Sequence, residues 1–303
     1  MRKTKEKDRP EALDGLFYME GGRVLRNDIE REWNKILEKE RKYFEAEAER
    51  PESKFKGIAD KIEKKIPEKL TATLETAFYK AFFVIFEKGT SLIEKTFNGE
   101  DMALEFQVND FRVDKRPDRR SLKRLEKAAK RSKLKNSCIT TVEGIGLGVA
   151  GIGLPDIPIF LGMLLKGLYE MAVSYGYDYT KKEEQVFLMR IIYTGLAQGE
   201  EKVMADLWTE DMGVAIHNGT AEFDFNDEVM EASSALSMAM LTSKFVQGFF
   251  IVGAVGGAMN LVIYRKVLGY AAMKYKKRYL YEKLRDDERL EADGDKKESR
   301  KSV

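Results

Sequence analysis

The longest uncharged run in this sequence places the strongest constraint on its fold. The twenty residues Phe245–Tyr264 contain no Asp, Glu, Lys or Arg and lie between Lys244 and Arg265. As a helix with a rise of about 1.5 Å per residue, the run would be about 30 Å long, which matches the hydrocarbon core of a bilayer. Such a segment has to leave water, either inside a helical bundle or in a membrane.

A second apolar segment, Ile139–Val173, is divided by a turn motif. Its glycine-rich first part ends at Leu154-Pro155-Asp156-Ile157-Pro158. Asp156 is suited to cap a new helix, and Pro158 is tolerated in the first turn of one. The motif therefore predicts two adjacent antiparallel helices, Ile139–Gly153 and Ile157–Tyr175.

Two glycines connect the long uncharged run to this hairpin. Gly253 and Gly257 have the small-xxx-small spacing that lets two helices approach closely, so we expect the run to pack beside the hairpin there. Two interpretations remain open. Both segments form the buried centre of a soluble bundle, or the hairpin docks on a membrane or enters it.

The rest of the chain also favours helices. Six prolines in 303 residues are few, and Phe78, Phe82, Ile85 and Phe86 recur at helical spacing. Weak alternation over Glu105–Phe111 predicts a short extended piece. The predicted helices are Val24–Glu49, a helix starting at Pro67, Asp118–Lys135, Glu183–Trp208 with a break at Gly199, and a methionine-rich helix containing Met230, Met238 and Met240.

These elements predict an all-α fold, a multi-helix bundle around a glycine-rich apolar helical hairpin. We expect one helical domain over residues 12–285, with a disordered N-terminus at 1–11 and a disordered charged tail at 286–303.

The only cysteine, Cys138, excludes an intramolecular disulfide. The only histidine, His217, which we expect in a loop, excludes metal motifs that need two histidines. We expect no cofactor and no metal.

Charge is segregated along the chain although the net charge is only +2. Residues 112–135 carry twelve Lys or Arg and three Asp or Glu, and residues 264–285 carry eight Lys or Arg and one Glu. Residues 200–231 carry ten acidic side chains and one Lys. Such runs are often solvated helix faces, but each basic block here adjoins an apolar segment, as at a membrane boundary.

We therefore expect the basic blocks to bind anionic membrane lipid or a membrane protein. The candidate residues are Lys123, Arg124, Lys127, Lys130, Arg131, Arg265, Lys266, Lys274, Lys277 and Arg278. Nucleic acid is not expected, because the first block lacks interleaved aromatic residues. No apolar core follows the charged N-terminus, so we expect no secretory signal. The predicted location is the cytoplasm, peripheral to the inner face of the plasma membrane.

The turn motif and the uncharged run also resemble the EcsC protein family. The resemblance rests on Gly151–Pro158, Leu161-Gly162, Tyr169-Glu170 and Ser174–Asp178, and on Gly253–Asn260 followed by Tyr270-Ala271. It covers about residues 25–285 and implies a largely helical, cytoplasmic or membrane-peripheral protein, often bacterial, with a link to ABC transporter function or regulation. It implies no catalytic residue. The motif residues are Gly153, Leu154, Pro155, Asp156, Pro158, Gly253 and Gly257.

An enzymatic alternative rests on carboxylates close to the turn motif. Paired carboxylates perform acid–base chemistry or hold a metal, as in a hydrolase acting on a lipid or peptide, but they also cap helices and pair with lysines. Converging carboxylates in a pocket would favour the hydrolase, and an apolar groove rimmed by Arg and Lys would favour binding. The carboxylates concerned are Asp156, Glu170, Asp178, Glu183 and Glu184.

Overall fold

The computed structural model describes residues 28–48, 66–135, 156–246 and 256–301, and these residues are helical throughout apart from the connections. The α-helices are α1 (Asp28–Ala48), α2 (Glu68–Val84), α3 (Thr90–Glu94), α4 (Gly99–Lys115), α5 (Arg119–Lys135), α6 (Asp156–Ser174), α7 (Lys182–Leu196), α8 (Gly199–Asn218), α9 (Phe225–Val246) and α10 (Gly256–Lys301). A π-helical turn, Ile85–Gly89, joins α2 to α3. The predicted all-α fold is confirmed.

The first half of α10 lies at the centre of the bundle. It contacts α1, α6, α7 and α9, with further contacts to α5 and α8. Its fully buried side chains include Val267, Tyr270, Ala271 and Tyr275, which together form one broad face of the helix. Because this face meets several helices, α10 organises the elements around it.

Helix α6 is the second core element. Among the described helices it alone is long and apolar enough to cross a membrane, over Ile157–Ser174, and 83% of that window is buried within the protein. The core helix of a soluble protein can have the same length and apolar composition. The burial of this window inside the bundle is therefore sufficient to explain why α6 is apolar. Its start at Asp156 confirms the second helix predicted from the turn motif. The first predicted helix, Ile139–Gly153, lies outside the described residues.

Helices pack closely at two glycines other than the predicted pair, Gly253 and Gly257. A Cβ on Gly167 of α6 would lie 2.8 Å from Leu268 Cδ1, and one on Gly195 of α7 would lie 3.2 Å from Val267 Cα. Both contacts are with α10, which these glycines allow to approach. Gly253 lies outside the described residues, and Gly257 belongs to the first turn of α10.

The predicted extended piece at Glu105–Phe111 is wrong, because these residues form part of α4. Asn98 caps this helix by accepting a hydrogen bond from the Asp101 amide at 3.2 Å. The buried residues of α4 include Asn109 and Val113, at helical spacing. Three exposed apolar side chains mask this periodicity in the sequence: Leu104, Val108 and Phe111.

Other boundaries follow the predicted breaks. Gly199, with φ 58°, begins α8, and Gly219, with φ 70°, ends it, because glycine adopts this left-handed conformation without strain. His217 consequently lies in the last turn of α8, and the prediction that it is a loop residue is wrong. At the C-terminus, the α10 backbone is helical as far as Lys301, whereas the sequence predicts a disordered tail from residue 286.

Candidate functional site

Helix α5 presents a basic face to solvent, the first part of the candidate site. Asp118 begins the helix by accepting hydrogen bonds from the amides of Arg120 and Ser121, at 3.0 and 2.9 Å. Its inner side is buried through Leu122, Leu125 and Ala129. The opposite side carries three exposed cations from the predicted set: Lys123, Arg124 and Lys127.

These three cations form no ion pair with any residue that the structure describes. The same holds for Arg265 and Lys266, which are exposed near the start of α10. Exposed charges without partners keep their full attraction for an external anion, subject only to screening by salt. Lys130 and Arg131 belong to the last turns of α5, and their side chains lie outside the described part of the structure.

A groove lies between α1, α5, α6 and α10, and one of the exposed cations, Arg265, lines it. Its volume is about 590 Å³. The apolar lining includes Ile36, Met171, Leu261 and Ala272, and the charged lining includes Arg265 and Lys276. The lining of the groove therefore combines apolar side chains with charged side chains of both signs.

The acidic side chains of the groove are neutralised within its lining. Lys276 Nζ lies 2.8 Å from Glu32 Oε2 and 3.4 Å from Glu126 Oε2, and Lys35 Nζ lies 2.6 Å from Glu32 Oε1. Because these pairs account for both carboxylates, the remaining positive charge belongs to the open side of the groove, where Arg265 lies.

Three of the predicted binding residues are not on a surface. Lys274 and Lys277 are buried, with 3% and 5% of their area exposed, and only 8% of the Arg278 side chain is exposed. Helix α10 therefore does not present them on an exposed surface, although all three contribute to the lining of a small pocket beside α8. Their helix is central, so their charges are met by carboxylates from neighbouring helices.

Lys274 and Lys277 share one buried ionic cluster with α1 and α8. Lys274 Nζ contacts Glu40, lies 2.6 Å from Asp206 Oδ1 and 2.5 Å from Glu210 Oε1. Lys277 Nζ lies 2.5 Å from Glu40 Oε2 and 2.6 Å from Glu210 Oε1. The Tyr270 hydroxyl donates to Asp206 at 2.5 Å. The cluster joins three helices.

Two carboxylates of this cluster have pKa values shifted in opposite directions. Burial opposes the ionisation of Glu210, but the charges of Lys274 and Lys277 outweigh it and lower the pKa of Glu210 to about 2. For Glu40, burial dominates over the attraction of Lys274, and the neighbouring Glu210 adds to the effect, so the pKa of Glu40 is raised. Two carboxylates of one cluster thus differ in proton affinity.

The three carboxylates of this cluster have the spacing of a metal site. One oxygen from each of Glu40, Asp206 and Glu210 lies within 4.8 Å of the others. Lys274 Nζ contacts all three of these side chains. The ammonium group therefore takes the position that a metal cation would need, and the cluster is a network of structural ion pairs.

A second network holds Arg278. Its guanidinium donates to Glu184 Oε2 at 2.8 Å and lies over the Tyr177 ring, 4.0 Å from the centroid. The Tyr275 hydroxyl donates to Glu184 Oε1 at 2.6 Å. Burial raises the pKa of Tyr275 and Tyr177, which keeps both hydroxyls neutral.

The carboxylates proposed for a hydrolase serve local structure where they are described. Glu170 lies 3.7 Å from Lys166 across one turn of α6. Asp178 accepts hydrogen bonds from the Thr180 amide and hydroxyl, at 3.0 and 2.6 Å. Glu183 is exposed at the start of α7, while Glu184 pairs with Arg278. The Asp156 side chain lies outside the described part of the structure. Of the described carboxylates, Glu170, Asp178 and Glu184 therefore act in turns and ion pairs, and Glu183 is exposed.

The structure describes only part of the turn motif that carries the family resemblance. Asp156 opens α6, and Pro158 is buried in its first turn. Gly153, Leu154 and Pro155 lie outside the described ranges. The groove was missed by sequence reasoning because four helices from distant parts of the chain form it. The acidic partners of Lys274 and Lys277 were missed for the same reason.

Comparisons with known proteins give the following matches. The sequence pattern of the EcsC protein family matches residues 30–280. The chain is 30% identical over 155 residues to the uncharacterized protein YdbA and 23% identical over 160 residues to Protein EcsC, both of Bacillus subtilis (strain 168). The matches cover 49% and 52% of this chain and 56% and 61% of the relatives, so they span between half and two thirds of each relative. No solved structure matches the chain.

Proposed function

This chain belongs to the EcsC protein family, and from the charge on its surface we propose that it is a non-catalytic, membrane-peripheral protein that binds anionic lipid. The observation that carries the proposal is the exposed basic face of α5, formed by Lys123, Arg124 and Lys127. Arg265 and Lys266 of α10 are exposed cations of the same kind. Lys274, Lys277 and Arg278 have no part in it.

The electrostatic contribution of such a surface is large enough to hold a protein at a membrane. Each Lys or Arg near an anionic bilayer gains about 1 kcal/mol. Five exposed cations without partners among the described residues would together supply several kcal/mol. Cations already held in ion pairs would supply less, and this favours α5 over the basic part of α10.

An exposed aromatic residue lies among cations near the end of α4, shortly before α5 in the chain. At the corner between α4 and α5, Phe111 is 60% exposed, and Lys115 Nζ lies 5.5 Å from its ring centroid. The Arg116 side chain is 81% exposed, and Arg119 follows at the start of α5. An aromatic ring among cations suits the membrane interface, where the ring enters the head-group region and the charges meet phosphates.

The proposed location and partner follow from the lipid chemistry. Anionic lipids give the cytoplasmic leaflet its negative surface potential, so we place the protein at the inner face of the plasma membrane. A membrane protein such as an ABC transporter would then be a neighbour that the same surface could recognise. This partner is a proposal that rests on the family resemblance.

Liposome flotation tests the proposed function. The protein is mixed with vesicles of phosphatidylcholine alone or with phosphatidylglycerol added, at about 0.1 M and about 1 M salt, where the Debye length falls from about 10 to about 3 Å. We expect flotation only with the anionic lipid. High salt should reduce flotation strongly, leaving a fraction that depends on apolar contact.

A pair of matched variants assigns the binding to α5. The triple variant Lys123→Glu, Arg124→Glu, Lys127→Glu should lose flotation on anionic vesicles. The control variant Lys69→Glu, Lys80→Glu, Lys88→Glu changes the net charge equally, at exposed positions of α2 and the π-helical turn, and should float like the unaltered protein. Equal loss in both variants, or no flotation of the unaltered protein, would contradict the proposal.

A further inference from the structure

The groove between α1, α5, α6 and α10 has the dimensions of a ligand site. Its volume of about 590 Å³ lies within the range typical of small-molecule pockets. Along α10 it is lined from Leu261 to Lys276, and fifteen residues of helix correspond to a length of about 22 Å. The space is therefore long and narrow, which suits a chain-like ligand.

A glycine in the lining of this groove has no packing role among the described residues. Gly269 lies in the interior of α10, where glycine destabilises a helix relative to alanine. A Cβ at this position would find no atom within 4 Å. Gly195, by contrast, lies where a Cβ would be 3.2 Å from Val267 Cα. No described residue therefore fills the space above Gly269, and another molecule could occupy it.

The lining of the groove contains both apolar and charged side chains. Met171, Leu261 and Ala272 are apolar. Of the charged side chains, Glu32 and Glu126 are held by Lys276 and Lys35. Arg265 lines the same groove, is exposed, and forms no ion pair with a described residue. A ligand that complements this site is apolar along its length and negatively charged at one end.

We infer that this groove binds one acyl chain of an anionic lipid, with the chain passing over Gly269 and the head group at Arg265. The inference rests on the proposed function, since the membrane that the basic face binds would supply the lipid. It adds a second mode of contact, in which one lipid is held inside the protein in addition to those held at its surface.

The test measures the binding of a soluble single-chain lipid. Palmitoyl lysophosphatidylglycerol, below its critical micelle concentration, is titrated into the full chain and followed by native mass spectrometry. We expect one molecule per chain. Gly269→Trp should weaken binding at least about tenfold by filling the groove, and Ala272→Leu should do the same from the next turn of α10. Gly269→Ala is the matched control, because its methyl group fits the free space, and it should bind like the unaltered protein.

Two further measurements separate this inference from the proposed function. Arg265→Glu should weaken lysophosphatidylglycerol about tenfold and affect zwitterionic lysophosphatidylcholine less, because only the former presents a net negative head group. The triple α5 variant should lose flotation but keep lysolipid binding. Melting temperatures identify any variant that fails to fold. Absence of lysolipid binding in the unaltered protein would overturn the inference, as would unchanged binding in both groove-filling variants. Failure of flotation alone would overturn only the proposed function.

Discussion

The basic block of α5 and the part of the second basic block around Lys274 look alike in sequence, but the structure exposes the first and buries the second. In α5, the cations Lys123, Arg124 and Lys127 are exposed and form no ion pair with a described residue. In α10, Lys274 and Lys277 are buried in a cluster of carboxylates. A local count of charges does not distinguish the two blocks, because the compensating charges come from distant positions.

The difference teaches how a basic run should be interpreted. The partners of Lys274 include Glu40, 234 residues away, and Glu210, 64 residues away. In α10, aromatic residues alternate with the cations, as in Tyr270, Tyr275 and Tyr279, and all three are buried. In α5 the apolar residues occupy one side of the helix only. Periodicity of the apolar residues within a basic run therefore predicts exposure better than net charge does.

The largest expected effect is on stability, when one buried cation is removed. Lys274→Met would leave three carboxylates facing a single ammonium, and should lower the free energy of unfolding by about 3–5 kcal/mol. Lys127→Met on α5 is the matched control and should change it by less than about 0.5 kcal/mol. Urea denaturation followed by circular dichroism measures both. A loss below about 1 kcal/mol in Lys274→Met would remove the distinction between the two blocks.

Acid should weaken the cluster through Glu210. Its pKa of about 2 in the folded protein lies below the ordinary value of 4.5. The stability it contributes is therefore fully present above about pH 4.5 and is lost as the pH falls toward 2. We expect the urea midpoint to drop by the equivalent of a few kcal/mol over this range. Glu210→Gln should be less stable at pH 7 and show a smaller drop. An unchanged drop in that variant would assign the acid sensitivity to other groups.

The third effect compares two carboxylates of the same cluster. The raised pKa of Glu40 means that this group holds a proton more readily than Glu210 does. Replacement by a neutral amide should therefore cost less at Glu40 than at Glu210. Glu40→Gln and Glu210→Gln are compared by urea denaturation at pH 7. The reverse order would show that Glu40 is the main anionic partner of the lysines.

A smaller effect is expected from the hydroxyl at the edge of the cluster. Tyr270→Phe removes the donor to Asp206 while keeping the buried ring. Because a hydrogen bond to a charged group contributes about 1.5–3 kcal/mol, the loss should lie at or below that range. Tyr281→Phe, on a half-buried tyrosine of the same helix, serves as the control. Equal losses in the two variants would indicate that the cluster makes no special use of Tyr270.

The smallest expected change in stability comes from the exposed block. Replacing Lys123, Arg124 and Lys127 together with alanine should alter the free energy of unfolding by less than about 0.5 kcal/mol in total, since alanine favours helix and no described partner is lost. Flotation on anionic vesicles should nevertheless fall clearly. A substantial loss of stability would mean that these side chains have structural partners and would weaken their assignment as a lipid surface.

Much of the fold follows from local sequence signals, and much of the site does not. The start of α6 is predicted by Asp156 and Pro158, and the break before α8 by Gly199, because caps and turns depend on a few adjacent residues. Helix α4 was misread where exposed apolar residues such as Phe111 disturb the helical period. The buried cluster and the groove depend on which helices meet, and spacing along one helix carries no information on that.

Helix α1 illustrates a consequence for motion within the folded state. Its buried stripe is formed by Ile29, Glu32, Ile36 and Glu40, so two of these four side chains are acids that lysines of α10 hold. The remaining apolar contacts of α1 come from half-buried aromatic side chains. These ion pairs depend on pH, and the inward face of α1 makes fewer apolar contacts than the inward face of α6 does. We expect the backbone amides of α1 to exchange with deuterium earlier than those of α6, through local opening. Because α1 forms one wall of the groove, such opening would admit a ligand while the core around α10 stays folded.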